Sequence, residues 1–86
     1  MEKQAQTIEV YSSPKCHYCH EAKDFLTKKG FDFFDFNVLE DSDKREEMIE
    51  ISGQMSIPVI VVKEEGKNTK VLTGFDEVAL IIALGL

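Results

Sequence analysis

The chain has 86 residues, 43% of them hydrophobic, and a formal net charge of −6. This length allows one domain, residues 1–86. The hydrophobic fraction is sufficient for one modest core, which argues against a disordered chain. No apolar run approaches the roughly 18 residues that cross a bilayer, and an acidic chain lacks the clustered Lys and Arg that nucleic acid or anionic lipid would require.

The first part of the chain alternates strand and helix patterns. Residues 7–11 are β-branched and alternate in polarity, which predicts a first strand. From His17 a helix is predicted, and Gly30 is a suitable residue to end it. Its inner face has residues spaced three and four apart: Cys19, Ala22, Phe25, Leu26 and Lys29. Residues 31–38 predict a second strand, but phenylalanines of both parities leave its starting point open.

The next helix is predicted over residues 43–52, and Gly53 ends it. Asp43 and Glu46 have the spacing of a capping box, while Met48 and Ile51 form the inner stripe. These positions give the helix one side suited to packing against a sheet.

The last part of the chain predicts two strands and a helix. The continuous apolar run 57–62 is typical of a strand that is covered on both faces. A polar turn over 63–68 leads to a short return strand at 69–72, and a third helix follows over 76–84.

The element order is therefore β-α-β-α-β-β-α. The first β-α-β unit predicts two parallel strands joined by a crossover, and the short turn predicts an antiparallel hairpin. We expect an α/β fold with a mixed four-stranded sheet flanked by three helices.

The strongest chemical signal is the pair Cys16 and Cys19, the only cysteines of the chain, at a strand exit and the start of a helix. A bridge between them closes so short a loop that it stabilises little, so the spacing indicates redox or metal chemistry. Helix N-terminal amides and the neighbouring Lys15 favour a thiolate at Cys16. Cys19 lies deeper in the first turn, so we expect Cys16 to attack and Cys19 to resolve the mixed disulfide.

Three other interpretations of this segment compete with redox chemistry. In the first interpretation, the two cysteines are inert thiols on a helix face. In the second, Cys16, His17, Cys19 and His20 bind zinc, although all four lie within five residues and the chain offers no further Cys or His. In the third, the C-x-x-C-H pattern attaches haem. Redox chemistry is favoured over all three, and no metal ligands are predicted.

The other candidate positions have both a functional and an ordinary interpretation. We expect His17 and His20 to face solvent, because thiolate attack needs no obligatory histidine. Tyr18 either flanks a bound thiol or belongs to the loop surface. The Ile57–Pro58 step either opens a strand or, as a cis bond, frees backbone to pair with a substrate.

Segment 74–76 is a turn with a cap, or a helix start whose amides hold a carboxylate.

The segments 15–19, 52–58 and 74–76, in this order along residues 8–83, resemble those of glutaredoxins and of the glutaredoxin-like redoxins that reduce ribonucleotide reductase. The resemblance implies the thioredoxin fold, a cis Pro58 and glutathione as the usual reductant. It also implies disulfide-containing proteins as substrates.

The resemblance further implies roles for individual residues. Lys15 and Gln54 would face the glycyl carboxylate of glutathione, and the Ile57 backbone before Pro58 would pair with its cysteinyl peptide. Tyr18 would border the sulfur. After Gly74, the amides of Phe75 and Asp76, with the Asp76 side chain, would hold the γ-glutamyl end.

Several positions depart from the family pattern. His17 stands where common glutaredoxins have proline, and Met55 stands where arginine is frequent. Gly74 is followed by one Phe and one Asp, where many members have a second glycine and an acidic pair. These departures imply a weaker glutathione pocket. They leave two alternatives open: a redoxin recharged by thioredoxin reductase, and a carrier of a 2Fe–2S cluster between two subunits.

From these patterns we expect a dithiol oxidoreductase that reduces protein disulfides or glutathione mixed disulfides. We expect a monomer with no resident cofactor, which uses glutathione as a co-substrate and contacts neither nucleic acid nor membrane. The polar residues 1–4 show no secretory pattern, so we expect it in the cytoplasm.

Overall fold

A computed structural model of the protein describes residues 6–86. It contains four strands and three helices in the predicted order. They are β1 (Gln6–Ser12), α1 (His17–Lys28), β2 (Phe34–Asn37), α2 (Ser42–Ser52), β3 (Val59–Glu64), β4 (Lys70–Thr73) and α3 (Glu77–Leu84). No helix within the described residues is long and apolar enough to cross a membrane.

The four strands form one mixed sheet in the order β2-β1-β3-β4. β1 pairs with β2 in parallel, and β3 pairs antiparallel with both β1 and β4. The predicted parallel pair and the predicted hairpin are therefore both confirmed, and the architecture is the thioredoxin fold.

The core lies on both faces of this sheet. On one face, α1 and α3 pack over alternate strand residues such as Val10 and Ile60. On the other face, Met48 of α2 packs over Val59 and Val61. Since consecutive residues of β3 point to opposite faces, its unbroken apolar sequence fills both halves of the core, as the run 57–62 predicted.

The second strand is shorter than predicted, because the end of α1 uses part of that segment. The N–H of Phe31 donates to the carbonyl of Leu26 (2.9 Å), and the N–H of Gly30 donates to Thr27 (3.1 Å). With Gly30 at a φ of 83°, these bonds form a Schellman motif, which consumes the start of the predicted strand. Phe31 and Phe33 pack against the core from this connection, and pairing begins only at Phe34.

The predicted start and inner face of α2 were partly wrong. Asp41, in an extended conformation, is the N-cap, and its side chain accepts from the N–H of Lys44 (3.1 Å), so Asp43 and Glu46 do not form the predicted capping box. Met48 is buried as predicted, whereas Ile51 is 36% exposed. Ile49, the neighbour of Met48 on α2, packs against the core in its place.

The remaining boundaries shift by one or two residues. β3 starts at Val59, after Pro58, which has no N–H to donate to a ladder. α3 starts at Glu77, because Asp76 is its N-cap. Lys29, placed by spacing on the inner face of α1, is instead exposed at the C-cap.

Candidate active site

Strand register brings the three candidate segments to one end of the sheet. Ser12 at the end of β1 pairs with Asn37, and the preceding Tyr11 pairs with Val59, the first residue of β3. Val59 in turn pairs with Thr73, the last residue of β4. The segments 13–16, 57–58 and 74–76 therefore leave the sheet side by side.

The link between two of these segments is direct. The N–H of Gly74 donates to the carbonyl of Pro58 at 2.7 Å. Gly74 has a φ of 80°, a left-handed conformation that a residue with a Cβ rarely adopts. This bond seats the start of α3 against the loop that precedes β3.

Cys16 and Cys19 form a disulfide across the first turn of α1, with their Cα atoms 5.2 Å apart. Cys16 is partly exposed, while Cys19 has no accessible surface. An incoming sulfur can therefore reach Cys16 but not Cys19. This difference in exposure agrees with the order of reaction expected from the sequence.

Cys16 is itself the N-cap of α1. Its backbone is extended, and its Sγ accepts a hydrogen bond from the N–H of Cys19 at 3.2 Å. An N-cap side chain lies where the unpaired amides of the first turn converge, and these amides favour a negative charge. In the reduced protein, this position favours the thiolate form of Cys16.

A polar network fixes the strand that leads to the cysteines. The Ser12 hydroxyl, only 2% exposed as a residue, donates to Asp35 (2.7 Å), and Lys23 of α1 binds the other oxygen of that carboxylate (2.8 Å). Partial burial acts to raise the pKa of Asp35, but the hydrogen bonds from Lys23 and Ser12 outweigh it and hold the pKa below its usual value. The network ties the end of β1 to both β2 and α1.

Both histidines are exposed, as expected, but they have different partners. His17 pairs with Glu21 at 3.1 Å and lies edge-on to the ring of Tyr18. The Nε2 of His20 lies 2.8 Å from the carbonyl oxygen of Pro14, in the loop before Cys16. The sequence does not predict this contact with a preceding residue, and its only signal is the position of His20 directly after Cys19.

The loop before β3 contains hydrogen bonds between its own residues. The Ile57–Pro58 bond is cis, as the resemblance implies. The Gln54 amide donates to the carbonyl of Ser56 (2.9 Å) and accepts from the N–H of the same residue (3.1 Å). Each end of this amide therefore has one partner, which fixes its orientation, and the second N–H of Nε2 is the donor that remains for a ligand.

Two large hydrophobic side chains are exposed around this end of the sheet. Met55 is 66% exposed in the loop before β3, and Tyr18 is 60% exposed in the first turn of α1. Lys15, next to Cys16, is exposed as well. The surface around the cysteines therefore combines apolar side chains with one cation.

The start of α3 completes the site. The Asp76 carboxylate caps the helix by accepting from the N–H groups of Val78 (3.1 Å) and Ala79 (3.3 Å). The Phe75 ring packs against Phe25 of α1, with ring centroids 6.1 Å apart. Phe75 is half-buried by this packing, and Asp76 is exposed, so the backbone of this turn lies at the surface where a ligand could contact it.

The structure thus places all the candidate residues of the sequence on adjoining segments. Within the described residues, no three side chains of His, Cys, Asp or Glu are grouped so as to hold a metal ion. The sequence does not predict the backbone bonds of His20 and Gln54 or the Lys23–Asp35 pair, because each joins groups that meet only when the chain has folded.

Comparison with known proteins agrees with this site. The family model described as Glutaredoxin matches residues 8–66. A glutaredoxin-like 8.6 kDa protein of the rubredoxin operon of Clostridium pasteurianum is 37% identical over 70 residues, which cover 81% of this chain and 87% of that protein. Glutaredoxin 3 of Escherichia coli K12 is 40% identical over 55 residues, 64% of this chain and 66% of that one.

Solved structures extend the likeness to almost the whole chain. The glutaredoxin of Archaeoglobus fulgidus superposes with a TM-score of 0.79 at 25% identity, over 93% of this chain and 87% of that one. The glutaredoxin-like NrdH-redoxin of Escherichia coli superposes with a TM-score of 0.66 at 26% identity, over 81% and 84% of the two chains. Since the family model matches residues 8–66, which include Cys16 and Cys19, this chain belongs to the glutaredoxin family.

Proposed function

We propose that the protein is a dithiol oxidoreductase that reduces protein disulfides or mixed disulfides of glutathione, and that glutathione recharges it only weakly. One observation carries this proposal: Cys16 is partly exposed at a helix N-cap, and Cys19, to which it is bonded, is fully buried. The family supports thiol–disulfide chemistry in general terms, and the arrangement of the two sulfurs supports the division of labour.

In the proposed cycle, the Cys16 thiolate attacks one sulfur of a substrate disulfide. That bond breaks, the other substrate sulfur leaves as a thiolate that takes a proton, and a mixed disulfide joins Cys16 to the substrate. Cys19 then loses its proton and attacks the Sγ of Cys16. The substrate leaves with two reduced sulfurs, and the Cys16–Cys19 disulfide retains the oxidation, a change of two electrons.

Recharging this disulfide requires an external reductant. Two molecules of glutathione supply two electrons and leave as glutathione disulfide, and a dithiol flavoprotein, thioredoxin reductase, supplies them in a single exchange. The glutathione route depends on the polar groups around Cys16, because glutathione carries carboxylates at both ends.

Several features favour weak use of glutathione. The Gln54 amide already spends one of its two N–H donors on Ser56, and Met55 offers no charge where many family members have arginine. Lys15 and the amides after Gly74 remain as carboxylate partners. The structural relative NrdH-redoxin is described as glutaredoxin-like with a thioredoxin-like activity profile, which makes thioredoxin reductase the second candidate reductant.

We further propose that the protein works as a monomer in the cytoplasm without a resident cofactor. A reducing compartment keeps Cys16 available as a thiol, which the attack requires. The alternative role as a 2Fe–2S carrier predicts visible absorbance in freshly purified protein. A colourless protein that exchanges disulfides supports the oxidoreductase.

The decisive experiment compares reductants on one substrate. The oxidised protein is supplied with a protein disulfide and either glutathione with its reductase or thioredoxin reductase with NADPH, and turnover is measured. Turnover with either reductant that is lost in Cys16→Ser supports the proposal. Absence of turnover with both reductants would overturn it.

A further inference from the structure

We infer that His20 is a positioning residue for Cys16, acting through a hydrogen bond from its ring to the loop that presents the thiolate. The Nε2 of His20 lies 2.8 Å from the carbonyl oxygen of Pro14. A carbonyl oxygen only accepts, so this nitrogen carries the hydrogen and donates. This inference rests on the proposed role of Cys16 as the attacking sulfur.

The same residue also binds the backbone of Cys16. The N–H of His20 donates to the carbonyl of Cys16 at 3.2 Å, as part of the first turn of α1. His20 therefore contacts the chain at Cys16 and again two residues before it, at Pro14. The attacking cysteine lies between these two attachments.

The other bonds of this loop leave a gap that His20 fills. The start of the loop is fixed at Ser12, whose hydroxyl binds Asp35, and Asp35 in turn binds Lys23. Lys23 lies on α1, about one turn after His20. Between Ser12 and the helix, the N–H of Cys16 reaches the carbonyl of Ser13 only at 3.3 Å. The shorter bond from His20 is therefore the contact best placed to hold the middle of the loop against α1.

The position of the loop matters because the amides of the first turn stabilise the Cys16 thiolate only while Cys16 is the N-cap of α1. Its Sγ receives the N–H of Cys19 (3.2 Å) while its backbone is extended, at a φ of −95° and a ψ of 115°. A loop released from His20 lets Cys16 leave this conformation. The thiolate then loses amide contacts for part of the time, and its pKa rises.

A hydrogen-bond donor is sufficient for this role, and a positive charge is not required. The charged pair of Lys23 on α1 and Asp35 on β2 lies near His20, so a charge on the ring would also interact with this pair. The conservative change to glutamine separates the two contributions, because the glutamine Nε2 reaches a similar place, donates a hydrogen bond and is never charged. A leucine removes the donor and keeps the bulk.

The test uses the full chain with Cys19→Ser, so that only Cys16 titrates as a thiol. His20→Gln and His20→Leu are compared with Thr27→Leu, which places the same exposed leucine two turns along α1. Thiolate absorbance near 240 nm gives the pKa, and alkylation by iodoacetamide, carried out for all variants about one pH unit below the pKa of the parent, gives the reactivity. Neither measurement depends on disulfide exchange or on a substrate, and urea unfolding reports stability separately.

We expect His20→Leu to raise the pKa of Cys16 by about half a unit to one unit and, at this common pH below the parent's pKa, to slow alkylation by about three- to tenfold. His20→Gln and Thr27→Leu should stay close to the parent protein. An unchanged pKa in His20→Leu, even with lower stability, would overturn the inference, and so would a glutamine variant that behaves like leucine. A parent pKa near 8.5 would instead overturn the proposed role of Cys16.

Discussion

The backbone N–H of Cys19 donates a hydrogen bond of 3.2 Å to the Sγ of Cys16. Cys19 therefore has two connections to its partner: its sulfur closes the disulfide, and its amide supports the Cys16 sulfur. This follows from helix geometry, since the third residue after an N-cap presents its amide to the N-cap side chain. The spacing of three that allows the disulfide is also the spacing that gives this amide contact.

The first prediction concerns the two thiols of the reduced protein. Cys16, at the helix N-cap, should titrate in the range of about 3.5–7.5 found for cysteines at helix N-termini, and the buried Cys19 should titrate at or above about 8.5. Ultraviolet titration of Cys19→Ser and Cys16→Ser measures each thiol alone. Equal pKa values in the two variants would contradict the assignment.

The second prediction separates attack from resolution. Cys16→Ser should lose exchange completely, because the accessible sulfur is gone. Cys19→Ser should still form a mixed disulfide with glutathione but should hold a protein substrate on Cys16. Non-reducing electrophoresis and mass spectrometry detect the trapped complex. Trapping on Cys19 in the Cys16→Ser variant would reverse the proposed roles.

The third prediction concerns the glutathione pocket. Lys15→Ala should lower the glutathione-supported rate by about two- to fivefold, the range of an exposed charge contact. Met55→Arg should raise it by about ten- to a hundredfold, because a hydrogen bond to a charged group contributes roughly 1.5–3 kcal/mol. Steady-state reduction of a small mixed disulfide measures both.

Lys28→Ala, at the other end of α1, is the charge-matched control for Lys15→Ala. We expect it to leave the glutathione rate unchanged. If Lys15→Ala and Lys28→Ala behave alike, Lys15 does not contact glutathione, and thioredoxin reductase becomes the favoured reductant.

The fourth prediction concerns alkaline stability. Tyr11 is buried and donates to Glu47 (3.1 Å), and burial followed by this carboxylate raises the pKa of Tyr11 above its usual value. Below about pH 10 the phenol is neutral in both states, so this contribution to stability is fully present. Above that pH the unfolded chain ionises first, and stability falls by up to about 1.4 kcal/mol per pH unit.

Tyr11→Phe should therefore cost about 0.5–1.5 kcal/mol at pH 7, through the lost hydrogen bond, and less at pH 10.5. Urea unfolding at both pH values gives the difference, and comparison with the parent removes the lysine titrations that the two proteins share. A deficit that grows between pH 7 and pH 10.5 would show that the phenol is not held neutral by the fold.

The fifth prediction tests the core between α1 and the sheet. Leu26 is fully buried, so Leu26→Ala should lower the free energy of unfolding by about 2–5 kcal/mol. Ile82, on α3, is 71% exposed, and Ile82→Ala should change it by less than about 0.5 kcal/mol. Equal losses in urea unfolding would mean that Ile82 is covered in solution.

The sequence alone determined the element order, the sheet type and the chemistry of the cysteine pair. Each of these depends on local properties: alternation and helical period define the elements, and a spacing of three puts two sulfurs on one helical turn. The run 57–62 even indicated a strand covered on both faces, because a continuous apolar sequence has no side for water.

Only the tertiary structure decided which polar groups are free at the site. The Gln54 amide turns back to Ser56, and the His20 ring reaches Pro14, six residues earlier. The end of α1 took Phe31 out of the second strand. No residue pattern encodes these choices, since each is a competition between hydrogen-bond partners that meet only when the segments fold against one another.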